Sequence, residues 1–125
     1  MKVADSMTSR PVHVTPDATL TAARSLMDLE DFRCLPVVEG GELVGIITDR
    51  DIRKYGDGLD STNVGVAMTT EVICISPDDT VNEAVRMLLA FKVGGLPVIS
   101  EKQLVSIITT TDILRAVLGL PDLDK

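Results

Sequence analysis

The strongest constraint on this chain is that it contains the same unit twice. When the sequence is shifted by 61 residues, positions 3–52 align with positions 64–113 without a gap, and 17 of the 50 pairs are identical. A unit of about 60 residues buries too little apolar surface to be comfortably stable alone. We therefore expect two copies of one structural unit that cover each other's apolar surfaces.

Each copy has the residue pattern of a β-α-β-β-α unit. β-Branched runs at 12–14 and 72–75 predict first strands, which Pro16 and Pro77 end. Thr19 and Thr80 stand at helix N-cap positions. Apolar residues follow at one-face helical spacing, and they are Leu20, Ala23 and Met27 in the first copy and Val81, Ala84, Val85, Leu88 and Phe91 in the second. Two further strands and a second helix complete each copy.

The predicted fold is α+β, with two β-α-β-β-α repeats packed sheet to sheet in pseudo-two-fold symmetry. We expect the first repeat at 1–55, a Gly- and Asp-rich linker at 56–63, and the second repeat at 64–118. The remaining residues, 119–125, are expected to form a short C-terminal tail, because Gly119 ends the last helix.

Composition narrows the class of protein. Hydrophobic residues make up 45 % of the chain but aromatic residues only 2 %, so the core is expected to be aliphatic. A net charge of −7 disfavours nucleic acid as a partner. The N-terminus has no secretory pattern and no apolar run reaches membrane-spanning length, so a cytoplasmic protein without a membrane partner is expected. Cys34 and Cys74 are expected to be buried thiols, and with His13 they are too few for a metal site.

The sequence does not predict an enzyme. His13 is the only histidine, and its place in a β-branched run is typical of a half-exposed strand residue. No nucleophile-elbow, zinc-protease or P-loop motif occurs. No catalytic residue is therefore assigned.

A strand-to-helix turn occurs once in each copy and is the best candidate for ligand binding. In the first copy Thr48 offers a hydroxyl beside unpaired helix N–H groups, which suits a phosphate. Asp51 offers two acceptors, which suits a ribose diol. Thr109 and Asp112 repeat the pair. Ordinary N-capping is the alternative, since Thr and Asp are common at any helix start.

The combined pattern closely resembles the CBS domain, named from cystathionine beta-synthase, in the tandem form called the Bateman module. The matching stretches are 7–8, 15–20, 35–38 and 43–51 in the first copy and 68–69, 76–81, 96–99 and 104–112 in the second. The resemblance implies the β-α-β-β-α fold, two adenosine-nucleotide clefts between the repeats, and homodimers.

The resemblance also implies residue roles. The ribose would be held by Asp51 and Asp112, the phosphate by Thr48, Thr109, Arg33 and Arg50, and the base and sugar would meet Thr15, Ser76, Leu35, Pro36, Leu96 and Pro97. The two copies differ at this site, because Gly94 replaces Arg33 and Thr111 replaces Arg50. Ser106 also replaces Gly45, which puts a close backbone approach there in question. We expect one strong and one weak site, unless the arginines are simply solvated surface charges.

The leading functional hypothesis is a non-catalytic regulatory module that binds AMP, ADP or ATP and needs no cofactor for chemistry. Ligand binding would change the relative pose of the repeats or of two protomers, and a protein partner would respond to that change. One alternative is a structural dimerisation module without a physiological ligand. Another is a binder of S-adenosylmethionine or NAD(H).

Overall fold

The computed structural model describes residues 1–7 and 12–119, and it divides into two compact units. Val12–Val72 forms one, here called the first-repeat unit. Met1–Pro11 and Ile73–Lys125 form the other, here called the second-repeat unit. The motif residue Thr8 and the predicted tail beyond Gly119 lie outside the described residues. Within the described part of the chain, no helix is long and apolar enough to cross a membrane.

The two units share the order helix, strand, strand, helix, and the first-repeat unit has one further short helix. The first-repeat unit has α1 (Leu20–Glu30), β1 (Cys34–Glu39), β2 (Glu42–Thr48), α2 (Asp49–Arg53) and α3 (Val64–Ala67). The second-repeat unit has α4 (Val81–Phe91), β3 (Gly95–Ser100), β4 (Gln103–Thr109) and α5 (Thr110–Leu118). Short 3-10 turns lie at Val3–Asp5 and Leu59–Ser61. The predicted α+β class and its duplicated order are confirmed.

Each unit is built on an antiparallel hairpin. In the first-repeat unit Cys34 lies opposite Thr48 and Glu39 opposite Glu42, with an irregularity at Val37/Val38. In the second-repeat unit β3 and β4 pair in the same register, with the irregularity at the aligned position. The start of the first hairpin strand therefore lies beside the end of the second, where the repeated turn begins.

The predicted first strands are much shorter than expected. Only Val14 and Ile75 make strand bridges, parallel to Val37 and Val98. Val14 donates to the Pro36 carbonyl at 3.1 Å and accepts from Val38 at 2.8 Å. Extending this parallel ladder by one step either way would need an N–H from a proline, Pro16 at one end and Pro36 at the other. Ile75 is confined in the same way by Pro77 and Pro97, so the ladder stops after one residue in both copies.

The helices bury the faces that periodicity predicts, with one exception. Leu20, Ala23 and Met27 of α1 are buried, as are Ala84 and Leu88 of α4. The prediction for Phe91 was wrong, because its side chain is 53 % exposed. Phe91 is the last residue of α4, and Lys92 turns the chain in a left-handed conformation there. Helical spacing continues to Phe91, but the buried face of the helix ends one turn earlier.

Each compact unit includes the opening residues of the other repeat. Val3 is fully buried in the second-repeat unit, and its N–H donates to the Asp79 carbonyl at 2.8 Å. Val64, which aligns with Val3, is fully buried in the first-repeat unit and donates to the Ala18 carbonyl at 2.7 Å. The boundaries of the packed units therefore differ from those of the sequence repeats, because the first residues of each repeat pack in the unit of the other repeat.

The two hairpin turns differ in backbone strain, which leads to a stability prediction. Gly40 and Gly41 adopt φ of 62° and 84°, whereas Glu101 and Lys102 adopt φ of 51° and 68°. Non-glycine residues pay a steric cost in this region, and Asn-Gly suits such a turn. Replacing Glu101-Lys102 by Asn-Gly should raise the free energy of unfolding by about 1 kcal/mol in urea denaturation. The reverse exchange at Gly40-Gly41 should lower it, and no change in either variant would contradict the explanation.

Candidate functional site

The repeated turn is a reciprocally bonded helix cap in both units. Thr48 Oγ1 accepts from the Asp51 N–H at 3.1 Å, and Asp51 Oδ2 accepts from the Thr48 N–H at 3.0 Å. At the second turn the matching distances are 3.2 and 2.8 Å, and the Thr109 hydroxyl also donates to Asp112 Oδ2 at 3.0 Å. These side chains therefore serve as caps, as the structural alternative predicted.

Capping still leaves capacity for a ligand at the first turn. Thr48 and Asp51 are half-buried, so solvent reaches both side chains. The backbone bond to Asp51 uses Oδ2, which leaves Oδ1 to accept from another donor. The helix that follows has only five residues, against nine for α5, so its dipole adds little for a bound anion.

Thr15 and Ser76 lie directly after the bridging residues of their units. The Thr15 hydroxyl donates to Asp17 Oδ1 at 2.5 Å. Ser76 Oγ accepts from the Asp78 N–H at 3.2 Å. Both hydroxyls thus take part in the turn at the proline, and each remains at least partly accessible.

The Leu-Pro pairs of β1 and β3 are buried. Leu35, Pro36, Leu96 and Pro97 all rank among the fully buried side chains, each less than 2 % exposed. The Pro36 and Pro97 carbonyls accept from the Val14 and Ile75 N–H groups, at 3.1 and 3.0 Å. Any ligand contact at the Leu-Pro pairs would therefore go through backbone rather than side chains.

The predicted arginines lie near the first turn but differ in their surroundings. Arg33 Nη1 is 3.6 Å from Asp49 Oδ2, and the Arg33 side chain is 89 % exposed. The Arg33 carbonyl accepts from the Asp49 N–H at 3.0 Å, which ties this residue to the start of α2. Arg50 is exposed on the same helix. Surface ion pairs of this kind contribute little to stability, so Arg33 can change partners at small cost.

Asp49 is the site neighbour that sequence reasoning missed. Its carboxylate pairs with Arg33 and, at 3.9 Å, with Arg53 one helical turn later. The Asp49–Arg53 spacing of four residues was the available signal. Asp49 partly neutralises the cations predicted to meet a phosphate.

A pocket of about 490 Å³ lies within the first-repeat unit. Its polar lining includes three arginines and three aspartates, and the lining residues are Arg24, Met27, Asp28, Asp31, Phe32, Arg33, Asp49, Ile52, Arg53, Gly56 and Leu59. Arg33 is thus the one predicted site residue that lines it, whereas Thr48 and Asp51 lie outside the lining. The balance of opposite charges gives this pocket no net preference for an anion.

The close approach expected at Gly45 is made by the chain itself. A Cβ placed on Gly45 would lie 2.6 Å from Met68 Sδ and 3.0 Å from the Thr69 carbonyl oxygen. Ile46 and Thr69 exchange backbone hydrogen bonds, both 2.9 Å long. The glycine therefore makes room for residues 68–69, and its replacement by Ser106 in the other copy is not by itself evidence about a ligand.

The two cysteines occupy different environments, and neither forms a disulfide. Burial, followed by the charge of Asp49, raises the pKa of Cys34 to about 11, so this thiol is protonated near neutral pH. The prediction that Cys74 is buried was wrong, because its side chain is exposed. Cys74 precedes Ile75 in the segment whose strand pairing the prolines limit.

The Cys34 pKa predicts a loss of stability in alkaline solution. An unfolded thiol loses its proton near pH 9.0, whereas the folded thiol keeps it until about pH 11. Between these values the unfolded state binds fewer protons, so rising pH lowers the free energy of unfolding, by up to about 2 kcal/mol. Denaturation at pH 9 and pH 11 should show this decrease in the wild type and in Cys74→Ala. An equal decrease in Cys34→Ala would contradict the assignment.

The similarity of this chain to known proteins extends over nearly its whole length. The CBS domain pattern matches residues 3–58 and again residues 63–119. The chain is 34 % identical over 114 residues to the CBS domain-containing protein YhcV of Bacillus subtilis, covering 89 % of this chain and 81 % of that protein. It also matches inosine-5'-monophosphate dehydrogenase of Methanocaldococcus jannaschii at 36 % identity, but spans only 23 % of that enzyme.

Solved structures show the same fold. CBSX2 in complex with AMP has a TM-score of 0.86 at 28 % identity, and the match covers 94 % of this chain and 96 % of that one. The CBS domain pair of protein MJ0100, in complex with 5'-methylthioadenosine and S-adenosyl-L-methionine, has a TM-score of 0.84 at 27 % identity, with coverage of 95 % and 97 %. The family pattern, its duplication and these structures agree, and the chain belongs to the CBS domain family, with two copies of that domain in tandem.

Proposed function

We propose that the chain is a non-catalytic regulatory module that binds an adenosine nucleotide, AMP, ADP or ATP, at its two repeated turns. The observation that carries the proposal is the Thr-x-x-Asp pair, which has the same reciprocally bonded geometry in both units. The crystal structures of two proteins of similar fold, CBSX2 and the CBS domain pair of MJ0100, contain bound adenosine compounds. The geometry and the relatives support the same ligand class.

Each predicted residue has a stated chemical role in this proposal. Asp51 and Asp112 accept hydrogen bonds from the ribose hydroxyls. Thr48 and Thr109 donate to phosphate, a role in which the Thr109 hydroxyl must exchange its bond to Asp112. The remaining contacts are Arg33 and Arg50 to phosphate, and Thr15, Ser76 and the backbone at Leu35, Pro36, Leu96 and Pro97 to base and sugar.

Charge separates the candidate ligands. Arg33 and Arg50 belong to the first turn and favour an anionic ligand over the sulfonium cation of S-adenosylmethionine. The second turn has Gly94 and Thr111 at the aligned positions, so it lacks both cations and should hold a phosphate less strongly. S-Adenosylmethionine is the second candidate, because MJ0100 is a complex with it.

The difference between the turns predicts unequal sites. Calorimetric titration with AMP should give one strong site per chain and a second that is weaker or silent. Replacing Arg33 by Gly and Arg50 by Thr, the residues of the second copy, should weaken the strong site about tenfold through loss of charge-assisted contacts. Two equal sites in the wild type would contradict this prediction.

The proposal places the module in the cytoplasm as a homodimer. Ligand binding would favour one arrangement of the protein over another, and a protein partner would respond to that arrangement. Nucleic acid is not proposed as a partner, because a chain of net charge −7 repels phosphate backbones.

Thermal unfolding with a ligand panel tests the proposal. AMP, ADP and ATP should raise the unfolding temperature in a concentration-dependent way, and more than S-adenosylmethionine or NAD(H) at equal concentration. A larger shift with S-adenosylmethionine would select the second candidate. No shift with any of them would support a structural dimerisation module instead.

A further inference from the structure

One carboxylate lies between two arginines at the first turn. Asp49 Oδ2 is 3.6 Å from Arg33 Nη1 and 3.9 Å from Arg53 Nη2. The Asp49 side chain is 39 % exposed, whereas those of Arg33 and Arg53 are 89 and 71 % exposed. Asp49 is also the first residue of α2, and its N–H donates to the Arg33 carbonyl at 3.0 Å. The carboxylate is therefore the more firmly held member of this group, and the two guanidinium groups can take other partners.

The second repeat shows that the fold does not need these three charges. The aligned residues are all uncharged, and they are Gly94, Thr110 and Leu114. Thr110 nevertheless begins α5, and its N–H donates to the Gly94 carbonyl at 3.0 Å, the length of the matching bond at Asp49. The backbone contact thus forms without a carboxylate, and the charge of Asp49 is not a requirement of the fold.

We propose that Asp49 makes the first turn selective for adenosine ligands of low phosphate charge, because its carboxylate competes with phosphate for Arg33. The inference rests on the proposed function, in which Arg33 contacts the phosphate, and it adds a specificity-determining residue to that site. A phosphate bonded to the same guanidinium group would lie within about one Debye length of the carboxylate, so their repulsion is only partly screened. Each further negative charge on the ligand adds to that repulsion.

The opposite role, in which Asp49 positions Arg33 for the phosphate, is disfavoured by the geometry. A carboxylate that orients an arginine typically makes short, bidentate contacts to the guanidinium group. The contact between Asp49 and Arg33 is 3.6 Å long, and the arginine side chain is almost fully exposed. Exposed ion pairs of this kind hold a side chain weakly. Asp49 therefore gives Arg33 little order that would offset the repulsion of phosphate.

Calorimetric titration of the full-length Asp49→Asn chain with adenosine, AMP and ATP in magnesium-free buffer tests the inference. Adenosine has no phosphate, so its affinity should be unchanged. At low salt the dissociation constant should fall about threefold for AMP and about tenfold for ATP, because the repulsion that is removed grows with ligand charge. Asp57→Asn changes the net charge equally at an exposed position, and it should bind all three ligands like the wild type.

A second variant and a thiol titration separate the effect of charge from a change in structure. Asp49→Thr installs the residue of the second repeat and should bind like Asp49→Asn. Burial is the main cause of the raised Cys34 pKa, and the charge of Asp49 is the smaller one. In a Cys74→Ser background, both variants should therefore show a lower Cys34 pKa that stays above 9.0, as thiolate absorbance would measure.

The outcomes distinguish this inference from the proposed function. Weaker binding of AMP and ATP by both variants would show that Asp49 positions Arg33, and it would overturn the inference. Equal gains for AMP and ATP, or unchanged affinities, would overturn it as well. A wild type that binds none of the adenosine compounds would instead contradict the proposed function on which the inference rests.

Discussion

Val3→Asp should lower the free energy of unfolding by about 4 kcal/mol, although the residue is third in the chain. Residues near a terminus are usually tolerant of change. Val3 is fully buried, however, and its backbone donates to the Asp79 carbonyl. A carboxylate there would lose its hydration among aliphatic side chains. Urea denaturation measures the loss.

Two matched variants sharpen this prediction. Ala4 is exposed, so Ala4→Asp should cost less than about 0.5 kcal/mol. Val64→Asp should be as damaging as Val3→Asp, since Val64 fills the aligned buried position. Hydrogen exchange should increase in β3–β4 for Val3→Asp and in β1–β2 for Val64→Asp. A Val3→Asp protein as stable as Ala4→Asp would contradict the packing assignment.

Gly45→Val should lower the free energy of unfolding by about 3 kcal/mol. The added Cβ would lie 2.6 Å from Met68 Sδ and 3.0 Å from the Thr69 carbonyl oxygen, so both neighbours must move. The flexible methionine side chain moves more easily than backbone, and Gly45→Ala should therefore cost less than Gly45→Val. Urea denaturation of the two variants shows which of them loses more stability.

The cause of this effect can be isolated with Met68. Met68→Ala should recover part of the stability lost in Gly45→Ala, giving a favourable coupling in a double-mutant cycle. Ser106→Ala is the control at the aligned position, where a Cβ is already accommodated, and it should cost less than Gly45→Val. Additive effects at Gly45 and Met68 would mean that the contact is not the source of the loss.

The fold was predictable where one repeat's own residues determine it. The hairpin strands β1–β4, the Thr19 and Thr80 caps and the buried face of α1 all follow from local spacing and capping chemistry. Two features depend on residues distant in sequence and were missed. The single-residue bridges at Val14 and Ile75 require knowing which proline lies opposite. The burial of Val3 in the unit of the other repeat requires the three-dimensional packing.

The site was predictable as chemistry but not as geometry. Thr48 and Asp51 are three residues apart, so their turn could be read from the sequence, although capping and ligand binding gave the same signal. Arg33 precedes β1 and Asp49 follows β2, so their ion pair could be inferred only from the register of these two strands. Met68, the neighbour of Gly45, lies 23 positions further along the chain (68 minus 45). No local sequence pattern indicates that these two residues meet.

Binding of AMP to the Asp51→Asn protein tests the central claim most directly. Asn keeps an oxygen for the Thr48 N–H but removes the carboxylate charge, so the fold should be retained. Calorimetry should show saturable AMP binding by the wild type, weakened about 10- to 100-fold in Asp51→Asn through loss of charge-assisted hydrogen bonds. Asp57→Asn, an exposed control, should bind like the wild type. Unchanged AMP affinity in Asp51→Asn, or no AMP binding by the wild type, would contradict the account.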